Sequence, residues 1–373
     1  MGLPGFLRRF LPEGQITEKR LAPYSWDSRV FVRLTQDAGG HPRGTVFWEG
    51  GVIPGYPRVQ RTLHLERGIR RYFKGGFHVE EKVDGYNVRV ARVEGRDLAF
   101  TRGGFICPFT TDRLPDLVGA AFLDGHPGHV LCGEVAGPEN PYNTEPISFV
   151  AEDVQFFAFD VLAPGAIHVS PERRYTAMEE SGVGQARHWG PFTADDMAAI
   201  KEIVLRLDAG GREGVVVKAA GAHGPGEKRK AMKYVTLSSC VRDMGASAHL
   251  MADIPGGFFV QRILRAVYAA HEFGMALSDP YLLEAARALY RPNERLVAEI
   301  EGGGGVAETF SVRVRDRSTV DALLQHIHRA GLRTSLISVE RDERGYHRAR
   351  FQRLFDKGTK AHRRRLRGHG FFD

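Results

Sequence analysis

The octapeptide Glu80-Glu81-Lys82-Val83-Asp84-Gly85-Tyr86-Asn87 sets a lysine behind two carboxylates and ahead of an Asp-Gly pair. Lysine is scarce in this chain. There are ten against 42 arginines, with none between Lys82 and Lys201 or between Lys233 and Lys357. Arginine cannot lose its proton and therefore cannot act as an amine nucleophile. A lysine kept alone in an arginine-rich chain is a candidate for that role. Taken alone, Lys-x-Asp-Gly is equally the pattern of a hairpin with a surface lysine.

Four further segments supply what nucleotide transfer requires. Thr101-Arg102-Gly103-Gly104 offers a guanidinium and backbone amides to a phosphate. Leu131-Cys132-Gly133-Glu134 sets a carboxylate in an apolar strand, which is costly without a partner. Phe156-Phe157-Ala158-Phe159-Asp160 is an aromatic strand in which Phe157 and Phe159 share side-chain parity, so either ring can stack on a base. Glu213-Gly214-Val215-Val216-Val217-Lys218 and then Lys228 to Lys233 (KRKAMK) give a carboxylate followed by a lysine cluster.

In this order, from Lys82 to Lys233, the segments resemble the covalent nucleotidyltransferases: ATP-dependent DNA ligases, RNA ligases and mRNA capping guanylyltransferases. Within that superfamily the chain is most similar to the archaeal-type, homodimeric ATP-dependent RNA ligases. The similarity rests on EEKVDGYNVRV (Glu80–Val90), TRGGFICPFTTDR (Thr101–Arg113), GYPRVQRTL (Gly55–Leu63) and KRKAMKYVT (Lys228–Thr236).

The resemblance implies catalytic roles for Lys82, Glu213 and Lys233, with Lys82 attacking the α-phosphorus of ATP. It implies nucleotide binding by Glu81, Asn87, Arg102, Glu134, Phe157, Lys218, Lys230 and Lys233. It also implies a magnesium (or manganese) ion held by Glu134, Glu213 and, through water, Asn87. The family's usual final Lys-x-Lys spacing is replaced here by Lys230-Ala-Met-Lys233, which leaves open which lysine fills which role. A lysine nucleophile must shed a proton whose ordinary pKa is about 10.4. Lys218, Lys230, Lys233, Arg102, the metal and burial are expected to lower that of Lys82.

The implied reaction has three steps. AMP passes from ATP to Lys82, then to an RNA 5′-phosphate, and a 3′-hydroxyl finally displaces it. Joining within one strand or between two is left open. A DNA ligase or capping enzyme is the alternative, though both usually carry an OB-fold after the lysine motif and the sequence here turns helical. A non-catalytic RNA-binding protein on the same scaffold is the alternative from another class.

The elements that must position these residues read as α+β. A nucleotidyltransferase (ATP-grasp-like ligase adenylation) domain with antiparallel sheets spans 63–237. An N-terminal module spans 1–62, a helical dimerisation module 238–301 and a small α/β module with a basic tail 306–373. Phe77–Lys82 and Tyr86–Val93 alternate around Val83-Asp84-Gly85 as a hairpin would. Ala194–Leu207, Phe259–Phe273 and Pro280–Tyr290 show helical periodicity. The apolar stripe Phe259–Val267 suits a core or a homodimer interface. Gly302–Gly305 reads as a linker, and the helix opening at Ser318 has Asp321 as a capping-box partner. His326 and His328 are expected to face solvent. The tail Lys357–Arg367 suits RNA phosphates or a solvated helix end.

The net charge of +7 suits a polyanionic partner. Three cysteines form no disulfide framework and no CxxC pair, which fits a reducing, cytoplasmic setting. No apolar run reaches the roughly 18 residues of a membrane span, and MGLPGFLRRFLPEGQ has no signal-peptide core.

Overall fold

The computed structural model describes residues 4–11, 17–144, 147–224, 227 and 229–370. Lys228 and parts of the MGLPGFLRRFLPEGQ stretch lie outside the described residues. Two five-stranded sheets form the centre. One runs in the order His188–Phe192, Phe77–Lys82, Gly214–Ala219, Ala231–Val235, Gln60–Arg61. The other runs Ile167–His168, Gln155–Ala163, Val130–Ala136, Tyr86–Val93, Arg96–Thr101. Neighbours are antiparallel except for Gln60–Arg61, which lies parallel to Ala231–Val235. The class is α+β with antiparallel sheets, as the sequence predicts.

Alternation along each strand separates a core face from a cleft face. In the first sheet Phe77, Val79, Val215, Val217, Met232 and Tyr234 pack on the helices Leu65–Tyr72 and Met197–Ala209. Glu80, Lys82, Val216, Lys218 and Lys233 take the opposite parity and border the cleft. In the second sheet Val88, Val90, Leu131, Val135 and Phe156 join the large core, and Asn87, Glu134 and Phe157 look the other way.

The expected hairpin at Val83-Asp84-Gly85 is not formed. Phe77–Lys82 and Tyr86–Val93 belong to different sheets, so the Asp-Gly pair is a crossover between them. The reason is close packing: a Cβ on Gly85 would stand 2.3 Å from the carbonyl oxygen of Val135. The hairpin in this region comes one strand later. Glu94 and Gly95 both have positive φ, 47° and 78°, as a two-residue type I′ connection requires.

The N-terminal sheet, in the order Leu21–Trp26, Arg29–Leu34, Val46–Trp48, Gly51–Ile53, covers the end of the second sheet's cleft face. Arg89 fastens it. This buried guanidinium donates to the carbonyls of Pro54 (2.5 Å), Gly44 (2.8 Å) and Thr101 (2.9 Å).

After Thr236 the chain is helical: Leu237–Ser247, Gly257–Phe273 and Asp279–Glu301. The last helix is longer than its sequence pattern suggests, continuing through Pro292. Val260, Ile263, Leu264 and Val267 are 44–54% exposed, so the apolar stripe is a surface and not core.

The C-terminal sheet, Ala307–Val314, His347–Leu354, Arg333–Arg341, packs with helix Ser318–Arg329 against the large core through Phe310, Val312, Leu323 and Phe351. Arg113, the last residue of TRGGFICPFTTDR, anchors it, binding Asp153 at 2.8 Å and the carbonyl of Arg313 at 2.9 Å. The glycine run is accordingly not a free tether, since the carbonyls of Gly303 and Gly304 accept from Arg363. Docking also corrects the expectation for His326. Its ring lies edge-on to Phe105 (5.8 Å) and Tyr142 (6.2 Å), and burial pushes its pKa down to about 4. His328 is exposed. The expected capping box is replaced by Asp316, which accepts from the amide and hydroxyl of Ser318.

Candidate active site

The cleft between the two central sheets holds a cavity of about 110 Å³. Lys82 enters from the last position of its strand, opposite Gly214 in the register. Gly214 has φ +146°, and a Cβ there would meet the Tyr234 carbonyl at 2.1 Å. The glycine of the EGxVxK segment thus lets three strands converge beneath the nucleophile position. The Lys82 ammonium donates to Glu213 Oε2 at 2.5 Å. From the second sheet, Asn87 and Phe157 flank Glu134 as its direct cross-strand neighbours.

The electrostatics differ from the sequence expectation. Burial pulls the Lys82 pKa down, but Glu213, Glu134 and Asp84 outweigh it and hold it above its ordinary value. Among the expected phosphate lysines the strong depression falls on Lys233, pushed down to about 8 by burial and by Lys82, Arg61 and Arg102. Burial drives the two carboxylates the other way. Glu134 is raised to about 8 and Glu213 to about 7, each against the opposing pull of Lys82. Two buried carboxylates facing one ammonium leave acidic capacity to spare.

Arg102, exposed at the cleft rim, forms no hydrogen bond or ion pair among the described residues. Lys218 reaches the cleft already held, donating to Glu80 Oε2 at 2.8 Å and to the Phe159 carbonyl at 2.5 Å. Phe157 and Phe159 both border the cleft, with a bulge in the strand pairing between Ala158 and Asp160. Phe159 packs edge-on against Tyr56 at 5.1 Å, while Phe157 meets Phe149 at 5.8 Å.

Glu81 lines the cleft, with its carboxylate taken up by Arg187 (2.6 Å) and Arg212 (2.8 Å). One expected nucleotide contact falls elsewhere. Lys230 is exposed and does not line the cleft, because it precedes the strand with the parity opposite to Lys233.

The sequence reading missed several contributors. Glu80, one step of alternation from Lys82, binds Lys218 and the buried Arg174, the latter at 2.5 Å. Tyr56 and Val59 of the N-terminal segment close one end of the cleft. The doubled glutamate before Lys82 and the GYPRVQRTL resemblance were the available signals.

A divalent cation fits this donor set. Asn87 Oδ1 is buried without a hydrogen-bond partner, and Glu134 and Glu213 are buried acids that a cation would relieve. Among the described residues no group of three or more His, Cys, Asp or Glu side chains forms a closed metal cage. An ion here would complete its shell with water and phosphate oxygens, as magnesium commonly does.

Comparison with known proteins agrees with this arrangement. Residues 75–235 match the RNA ligase family profile, and residues 246–369 match that of the ligase Pab1020 C-terminal region. A putative ATP-dependent DNA ligase from Aquifex aeolicus superimposes with a TM-score of 0.89 at 34% identity, over 95% of this chain and 97% of that one. An archaeal ATP-dependent RNA ligase superimposes with a TM-score of 0.84 at 28% identity, over 94% of each chain. An uncharacterized protein from Methanocaldococcus jannaschii is 25% identical over 81% of this chain and 78% of its own length. The two-sheet fold with a lysine clasped in its cleft is that of a nucleotidyl-transferring ligase. The chain belongs to the RNA ligase family, in its archaeal-type ATP-dependent branch.

Proposed function

We propose that this chain is an ATP-dependent RNA ligase working through a lysyl-AMP intermediate on Lys82. The observation that carries the reading is the Lys82–Glu213 contact of 2.5 Å, set across the cleft from Glu134 and its two neighbours. Glu213 holds the amine in place and is the nearest base for its proton. With the proton gone, the Lys82 Nζ lone pair forms a bond to the α-phosphorus as the bond to pyrophosphate breaks. Lys233 and Arg102 place positive charge where phosphate charge accumulates, and Phe157 offers a face to the adenine. AMP then passes from Lys82 to an RNA 5′-phosphate oxygen, and a 3′-hydroxyl displaces it to leave a phosphodiester. Magnesium, held by Glu134 and Glu213, would neutralise phosphate charge and relieve the carboxylates that keep Lys82 protonated.

The exposed stripe on Gly257–Phe273 is the proposed homodimer face. The buried, unpaired Cys107, Cys132 and Cys240 suit a reducing, cytoplasmic setting. No helix among the described residues is long and apolar enough to cross a membrane.

The Aquifex relative raises a DNA-joining reading. That relative covers the C-terminal module too, a three-stranded sheet with helices in place of the five-stranded barrel of an OB-fold, so the choice of polymer falls to the sealing assay. The test is incubation with α-labelled ATP and magnesium, followed by 5′-phosphorylated RNA or nicked DNA. The expected result is an acid-labile protein adduct and sealed RNA. Sealing of nicked DNA alone would move the reading to DNA, and labelling by GTP alone to capping.

Glu213→Gln is expected to slow adduct formation by about a hundredfold or more, since it removes both the holder and the proton acceptor of Lys82. Single-turnover labelling measures this. A rate within twofold of wild type would take Glu213 out of the reaction.

A further inference from the structure

Around the edge of the nucleophile sheet from the cleft, on the side of the helix Leu65–Tyr72 and Met232, lies a groove. Its first residues are Gln60 and Arg61 on the edge strand, where Arg61 is the register partner of Lys233. It then runs along the helix Leu65–Tyr72, past His64, Arg67, Arg71 and Tyr72, and encloses about 500 Å³.

The charges on that helix are sorted by face. Glu66 lies between Arg70 at 3.1 Å and Lys201 at 2.6 Å, and Asp195 stands 3.8 Å from Arg70, so these two cations are matched by two acids. Arg67 and Arg71 are exposed, and among the described residues neither has an acid within ion-pair distance. They stand one turn apart, about 6 Å along the axis, where like charges on a helix repel. Arg61 continues the positive line inward. Burial and the nearby Arg262 lower its pKa, with Glu213 and Asp243 opposing. Glu272 would be the obvious acid for this helix, but its carboxylate is spent on the amides of Leu65 (2.6 Å) and Glu66 (2.7 Å). A row of uncompensated arginines that begins at the partner of an active-site lysine fits a linear polyanion with one end in the cleft.

We propose that this groove carries the phosphodiester backbone of single-stranded RNA out of the active site, with Arg67 and Arg71 each contacting a phosphate. The proposal rests on the ligase reading for which end of the strand lies in the cleft, and on the groove's own charge for the contact. Each phosphate contact on a single strand contributes about 0.7 to the slope of log affinity against log salt concentration.

The test is binding of a 5′-phosphorylated single-stranded RNA, followed by fluorescence anisotropy across a potassium chloride series. Arg67→Ala/Arg71→Ala is expected to bind at least about tenfold more weakly near physiological salt, with a slope shallower by about 1.4. Arg67→Lys/Arg71→Lys should recover most of the affinity, because a phosphate accepts either cation. Labelling of Lys82 by ATP should stay at the wild-type rate in both variants. Unchanged affinity and slope would overturn the proposal. So would failure of the lysine variant to recover binding, or loss of ATP labelling in step with RNA binding. A wild type that never labels with ATP, yet binds RNA through these arginines, would sink the ligase reading and leave the groove standing.

Discussion

Lys82→Arg is expected to form no labelled adduct with ATP, falling below about a thousandth of the wild-type rate, while the protein stays folded. The substitution is chosen because it separates charge from nucleophilicity. Arginine keeps a cation opposite Glu213 and Glu134, so neither acid is left without its partner. Arginine cannot shed its proton and so has no lone pair to offer phosphorus. Lys82→Ala would also abolish labelling, but it would leave two buried acids uncompensated and confuse chemistry with stability. Thermal unfolding of the arginine variant should remain within a few degrees of wild type. The same variant should still seal RNA that already carries AMP on its 5′-phosphate, because that step bypasses the lysine. An adduct on Lys82→Arg would mean that the nucleophile is another residue. Lys233, with a pKa pushed down to about 8, would then be the first to examine.

Much of this site is written in local sequence, because strand alternation alone puts Lys82, Glu134, Phe157, Lys218 and Lys233 on one parity of their strands. The same rule, applied two residues earlier, assigns Glu80 to the cleft. What the sequence hides is pairing across distance. Asp-Gly after Lys82 has the signature of a hairpin, and only the second sheet, through the Val135 carbonyl packed against Gly85, makes it a crossover. The order of charges misleads in a similar way. The motif set promises Lys82 the company of Arg102, Lys218 and Lys233, but in space its nearest partner is Glu213, so its pKa rises where depression was expected. Lys218, counted as a phosphate ligand, is held by Glu80, 138 residues away along the chain, and Glu80 in turn binds Arg174, 94 residues from it. His326 is neutral and half-buried because a module some 200 residues further along the chain than Phe105 docks against that ring.

Asp160→Asn is expected to destabilise the protein by about 3–5 kcal/mol, the usual effect of leaving one buried charge without its partner. Asp160 is fully buried and accepts from Arg229 (3.0 Å), Tyr56 (2.9 Å), His168 (3.1 Å) and the Val161 amide (3.0 Å). Arg229, nearly as buried, also donates to the Val169 carbonyl. An asparagine of the same shape keeps one acceptor but no charge, so the Arg229 guanidinium remains desolvated and unpaired. The midpoint of urea unfolding measures the loss. Because Tyr56 hangs from Asp160 and closes the end of the cleft, weaker ATP binding should accompany it. Burial alone would raise the Asp160 pKa, but Arg229 and His168 overcome it and hold the carboxyl well below the ordinary range. A carboxyl depressed on folding gives stability that is present above its unfolded pKa, near 3.8, and is lost as pH falls below that value. Wild-type stability should therefore drop steeply below about pH 4, and Asp160→Asn should flatten that drop. The double variant Asp160→Asn/Arg229→Met should lose less than the sum of the singles, since removing both charges takes away the desolvation penalty along with the attraction. Strict additivity in that cycle would show that Asp160 and Arg229 do not depend on each other, and would leave the Tyr56 hydrogen bond as the only link from this buried acid to the nucleotide pocket.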